Sequence, residues 1–311
     1  MNSKKHIILF VVLGAIWGGA YPAISIGVET VPPIFYAAVR YDIASILMLT
    51  YVSLNINYWY PQNVGDWMNV AFGGLFIIGA YNAFLFAGQT IVPSAVAAVL
   101  VGLMPVFTSF ISQILVPDKD ISVLGIIGIM LGFVGIIFIS RPDPSHLLGG
   151  DTVGQLLVII AAASMALGSV LTERVDSDQP AITMEAWSMF LGAIVLHIAA
   201  TQTTSSPWTI QWTSSAILML VYLSVLSSAV AYLIYFYLLR ELGAFEMNFV
   251  AYVAAAFGVI IGWAALQDQI TAYTLVGFVC IFCGFLLLKK DQIKHVASIK
   301  RIESMARGKF P

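Results

Sequence analysis

Arg40 is the residue whose type and position demand a chemical role. Within residues 34–53 the only other charged side chain is Asp42. Counted from Ile34, Arg40 lies about 9 Å into this apolar run at 1.5 Å per residue. A charge near a bilayer centre costs a few kcal/mol, so Arg40 must face protein or water and find a partner. Two readings are open: a contact for a substrate carboxylate, or a structural cation that holds neighbouring carbonyls or snorkels outward. Asp42 projects to nearly the opposite side of the same helix, so it needs its own partner or a proton. Glu185 and Glu246 each stand at the start of an apolar run. There an acid either complements the helix dipole or takes part in proton coupling. His197, near the far end of its run, reads as an interfacial residue.

Polar and aromatic side chains repeat at helical spacing on several other runs. Trp17 and Tyr21 are four residues apart, as are Asn248 and Tyr252, while Asn82 and Gln89 are seven apart with Tyr81 beside them. Ser228, Tyr232 and Tyr235 share one face, and Ser164 and Gly168 share another. Such stripes line a chamber with aromatic walls and a few hydrogen-bonding groups, or else form interfacial belts and interhelical glue. Other chemistries lack their residues. The histidines His6, His146, His197 and His295 are scattered, with no H-E-x-x-H, no G-x-S-x-G and no Walker P-loop in the chain. Cys280 and Cys283 form a C-x-x-C inside an apolar run, where thiolates are disfavoured, so they read as small packing residues. No enzyme, metal or cofactor is predicted.

The elements that must position these residues are helices in lipid. The chain of 311 residues is 60% hydrophobic and 10% charged, with mean hydropathy +0.93, whereas a soluble domain carries about a quarter charged residues. Apolar runs recur at about 6–28, 34–53, 67–89, 94–116, 121–139, 153–172, 181–200, 213–238, 245–265 and 272–288. Only helices and closed barrels satisfy their own backbone in hydrocarbon, and runs near twenty residues mean helices. The first run is too long for a signal-peptide core and contains Trp17, Tyr21 and Pro22, so it reads as a retained helix. With the N terminus inside, all of the 14 Lys and Arg residues except Arg40 and Arg141 fall on the cytoplasmic side, which places both termini there. The basic tail 291–311 is a positive anchor or lies on anionic lipid.

Residues 94–139 and 244–288 align with one another. Pro105 to Asp118 and Ala255 to Asp268 are both 13 residues, and Gly128–Gly135 and Gly277–Gly284 are both spaced by 7. Five helices per half make the second half enter from the opposite side. Inverted repeats of this kind mark secondary transporters, whose two halves can exchange conformations around a midplane site. The expected fold is therefore an all-α integral membrane protein of ten transmembrane helices in two inverted five-helix repeats, residues 1–141 and 152–290. Three G-x-x-x-G pairs, Gly14–Gly18, Gly128–Gly132 and Gly258–Gly262, are expected to pack helices closely within this fold.

W-G-G-A-Y-P at Trp17–Pro22, A-A-V-R at Ala37–Arg40, the Pro105–Asp118 block and L-R-E-L-G-A at Leu239–Ala244 resemble the drug/metabolite transporter superfamily, EamA type. The resemblance implies a central cavity lined by spans 1, 3, 4, 6, 8 and 9, with spans 5 and 10 peripheral, and export of small metabolites, amino acids or drugs. The cavity residues would be Trp17, Tyr21, Arg40, Tyr81, Asn82, Gln89, Ser164, Tyr232, Asn248 and Tyr252. Glu246 and Asp42 would be coupling candidates, and Pro105 a kink. The sequence departs from the pattern in having Asp118 and Asp268 where Glu is usual, and Pro117 and Gln267 where Gly precedes it. Ala255 answers to Pro105, so a kink is expected in span 4 alone. The expected function is secondary export, with a passive facilitator as the alternative. Expected partners are a small-molecule substrate and membrane lipid, with no nucleic acid and the chain acting as a monomer or weak homodimer.

Overall fold

Every regular element among the described residues is helical, as an apolar chain in lipid requires. The computed structural model describes residues 2–115, 123–140, 150–203, 210–243, 247 and 249–288. The helices are α1 Asn2–Val28, α2 Pro33–Asn55, α3 Val64–Gly88, α4 Ser94–Leu115 and α5 Val123–Ser140, followed by α6 Gly150–Arg174, α7 Ala181–Ala200, α8 Ser214–Leu242, α9 Val250–Leu266 and α10 Ala272–Leu288. Seven of them, α1–α4 and α6–α8, are long and apolar enough to cross a membrane, and α5, α9 and α10 contain shorter apolar stretches. The protein is a membrane-embedded, multi-pass helical bundle.

Helix starts follow local chemistry. Prolines precede α2, α4 and α7, where a missing amide costs nothing. Asn63 and Thr213 accept backbone amides at the starts of α3 and α8. Helix α4 is interrupted at Gly102–Leu103 and resumes at Met104. Pro105 accounts for this, since its ring crowds the carbonyl four residues earlier and it offers no amide. The aligned Ala255 lies inside the unbroken α9.

Glycines bring the helices together. α1 meets α9 where Gly14 faces Val253 and Gly18 faces Phe257, Ala254 and Gly258. Gly284 of α10 lies against the backbone of Gly128 and Gly132 on α5. A Cβ at Gly18 would stand 2.6 Å from the Ala254 carbonyl oxygen, so a side chain there must push the two helices apart. Further contacts join α2 to α7, α3 to α6 and α7, α4 to α6 and α9, and α8 to α1 and α2.

Two helices depart from α geometry near their middles: α3 is π-helical over Gly73–Ala80 and α8 over Tyr222–Val230. Such insertions loosen the hydrogen-bond ladder and are frequent at functional sites. Both segments border the buried charge of α2.

Candidate functional site

Arg40 projects from α2 into the bundle, 6% exposed. Its Nε donates to Ser228 Oγ at 3.2 Å and its Nη1 to Asn82 Oδ1 at 3.5 Å. The guanidinium carbon lies 4.9 Å from the Tyr41 ring centroid and 5.9 Å from that of Phe86. No carboxylate among the described residues is within ion-pair distance of it. A guanidinium has five donors, and here two long bonds to neutral groups and two aromatic faces are what hold it.

The two π segments shape this pocket of polarity. Ser228 donates to the Leu223 carbonyl at 2.9 Å, five residues back, which leaves its oxygen free to accept from Arg40. Asn82, just beyond the π turn of α3, donates to the Ile78 carbonyl at 2.8 Å and to Tyr41 Oη at 3.2 Å. Tyr81 is its chain neighbour, and Tyr21 is buried on α1. Toward the end of the bundle where α1 begins, Trp17 donates to the Ser227 carbonyl at 3.2 Å. Its ring centroid stands 5.8 Å from that of Tyr232 and 5.5 Å from that of Tyr235. Glu185 of α7 is buried as well, and its Oε1 has no partner among the described residues.

Of the residues singled out by spacing, Trp17, Tyr21, Arg40, Tyr81, Asn82 and Tyr232 thus form one continuous cluster spanning α1, α2, α3 and α8. Others lie apart. Gln89 donates to the Tyr21 carbonyl at 2.9 Å and to Ser25 Oγ at 3.2 Å, fastening α3 to α1. Ser164 donates to the Phe76 carbonyl at 3.0 Å, fastening α6 to the π turn of α3. Tyr252 packs on Phe282 and Phe285 of α10, with ring centroids at 5.2 Å and 4.9 Å. Glu246, Asn248 and Asp118 lie outside the described residues.

Two expectations change. Glu185 does not cap α7: that helix begins after Pro180, has no acid in its first turn, and buries Glu185. His197 is not a lone interfacial residue, since its Nε2 lies 2.8 Å from Asp42 Oδ2. Asp42 has therefore found its partner on α7. Tyr41, adjacent to Arg40, was not singled out by spacing, yet it touches the guanidinium and Asn82 together.

A second polar cluster closes the end of the bundle where α1 begins. Asp66, fully buried in the first turn of α3, accepts from Tyr58 Oη, from the Gln62 amide at 2.8 Å and from Ser177 Oγ at 2.7 Å. Thr183 Oγ1 donates to the Tyr58 carbonyl at 2.9 Å, and Trp187 Nε1 to the Trp59 carbonyl at 2.9 Å. The α2–α3 connection is thereby fastened to the α6–α7 connection. Tyr58 stands outside the spans, and its hydrogen bond to the Asp66 carboxylate, followed by loss of hydration, pushes its pKa up to about 12. At the opposite end, Asp268 accepts from Ser94 Oγ at 2.6 Å and the Ala95 amide at 3.0 Å, capping α4 from the connection between α9 and α10.

Comparison with known proteins places this arrangement among transporters. The pattern of the EamA-like transporter family matches residues 4–141 and 152–289. The inner membrane transporter YedA of Escherichia coli, an uncharacterized protein, is 31% identical over 292 residues, covering 89% of this chain and 92% of its own length. The uncharacterized transporter YoaV of Bacillus subtilis is 24% identical over 272 residues, covering 88% and 92%. A solved crystal structure shares the fold with a TM-score of 0.62 at 17% identity, over 91% of this chain and 96% of that one.

Proposed function

The chain belongs to the EamA-like transporter family, and from that premise we propose that it is a secondary carrier exporting small metabolites by alternating access. Amino acids, related organic solutes or drugs are the substrate class, and Arg40 recognises an anionic group on them. One observation carries this reading: Arg40 is buried without a carboxylate partner among the described residues, held by Ser228 of the α8 π turn and by Asn82 just beyond that of α3. A buried cation is stable when paired, and a substrate carboxylate completes its bidentate donor set.

The pairing of helices supports two inverted five-helix halves. α1 packs on α9 as α6 packs on α4, and α2 packs on α8 as α7 packs on α3. α2 meets α7, and α5 meets α10, their own counterparts. The two π turns fall in α3 and α8, the third helix of each half. In this reading both termini are cytoplasmic in the cell membrane, so the Asp66 fastening closes the cytoplasmic end, and it must open to load substrate from inside. A proton or cation gradient, or the substrate's own gradient, drives the cycle. Asp42, which shares a hydrogen bond with His197, and Glu246 are the coupling candidates from sequence.

Thermal unfolding of the purified protein against amino acids, nucleosides, sugars and cationic drugs tests this function. A ligand at a hundred times its dissociation constant stabilises by about 2.7 kcal/mol. The expected result is a shift caused by a carboxylate-bearing compound that vanishes in Arg40→Met and in Asn82→Ala. An equal shift in Arg40→Met overturns the role given to Arg40.

A further inference from the structure

Glu185 is a second buried charge that substrate recognition at Arg40 does not use. It is 4% exposed, and its Oε1 has no hydrogen-bond partner. A buried polar atom without a partner calls for an explanation, and a proton is the smallest ligand that supplies one. Resting on the reading that the chain is a secondary carrier, we propose that Glu185 is its proton-binding site.

Arg40 donates to Asn82, Asn82 donates to Tyr41, and the Arg40 guanidinium lies over the Tyr41 ring. Glu185 stands apart from this chain of bonds, and no ion pair joins it to Arg40 among the described residues. The other ionisable groups on the helices around α7 are otherwise engaged. Asp66 of α3 is held by Tyr58, Gln62 and Ser177. Asp42 of α2 is held by His197 of α7 itself. Tyr232 and Tyr235 of α8 pack on one another and on Trp17.

The chemistry is a reversible proton transfer: the carboxylate gains one proton at Oε1 and releases it to water when the bundle opens at that end.

Infrared difference spectroscopy of the full chain in liposomes, titrated with pH, reads the proton directly and needs no substrate. The expected result is a high-frequency carbonyl band from a poorly hydrated carboxylic acid. That band disappears in Glu185→Gln and persists in Asp42→Asn. An unchanged band in Glu185→Gln overturns the proton site. That result does not touch anion recognition, which stands or falls by the melting shifts.

Discussion

Arg40 and Asp66 are both buried charges, 6% and 0% exposed, yet the protein treats them in opposite ways. Asp66 receives three donors on its two oxygens, from a tyrosine, a backbone amide and a serine, and two connections converge on it. Arg40 donates two long bonds to neutral groups and, among the described residues, meets no carboxylate. A carboxylate with several donors is settled in its ionised form. A guanidinium left so incomplete is settled only when something else arrives. Asp66 therefore belongs to the architecture, and Arg40 to the traffic through it.

The largest effect that tests this contrast is on stability. Asp66→Ala leaves buried donors on Tyr58, Gln62 and Ser177 unpaired and detaches two connections, so it is expected to cost about 3 kcal/mol or more. Arg40→Met removes an unpaired buried charge and keeps most of its volume. Its unliganded stability is expected to change by less than about 1 kcal/mol. Melting curves of the two variants in the same detergent decide the matter. If Arg40→Met costs as much as Asp66→Ala, Arg40 is a structural cation and the contrast fails. Asp268 sharpens the scale, because it is half-buried and receives only Ser94 Oγ and the Ala95 amide. Asp268→Ala is expected to cost about 1 kcal/mol, the loss of a helix cap, which falls between the two. A cost equal to that of Asp66→Ala means that donor count does not set the ranking.

The sequence revealed the helices and Arg40 because both rest on long-range composition: apolar runs of bilayer length, and one cation stranded inside one of them. The cluster of Trp17, Tyr21, Tyr81, Asn82 and Tyr232 was legible through helical spacing. What remained hidden depends on contacts between distant segments. Asp66 sits where the apolar pattern ends, and nothing local indicates that Ser177 will reach it. Asp42 and His197 lie on different helices and meet only through the α2–α7 packing. Glu185 resembles a helix-start acid, but Pro180 fixes the start of α7 early enough to carry it into the bundle. The π turns have no marker in the pattern of apolar residues, only the small residues Gly73, Gly74 and Gly79 on one helix and Ser224, Ser227 and Ser228 on the other. Gln267 shows the reverse situation. The family resemblance implies glycine there, and the chain indeed turns left-handed at that residue, with φ 57°, where glycine is the unstrained choice.

The smallest expected effect is one of pH, and it tests whether the donors around Asp66 act singly. Tyr58 is pushed up to about 12 from its ordinary 10.0, first by the hydrogen bond to Asp66. A group whose pKa is raised on folding contributes stability that is complete below its unfolded value and is lost as pH rises through its folded value. The difference in melting temperature between the wild type and Tyr58→Phe should therefore be constant up to pH about 10 and shrink toward pH about 12. Above that range an ionised Tyr58 places a second negative charge beside Asp66, and the wild type should fall below the variant. A difference that persists unchanged through this window means that the phenol does not titrate against Asp66. The fastening would then rest on Gln62 and Ser177 alone, and the carboxylate would be less completely satisfied than its contrast with Arg40 requires.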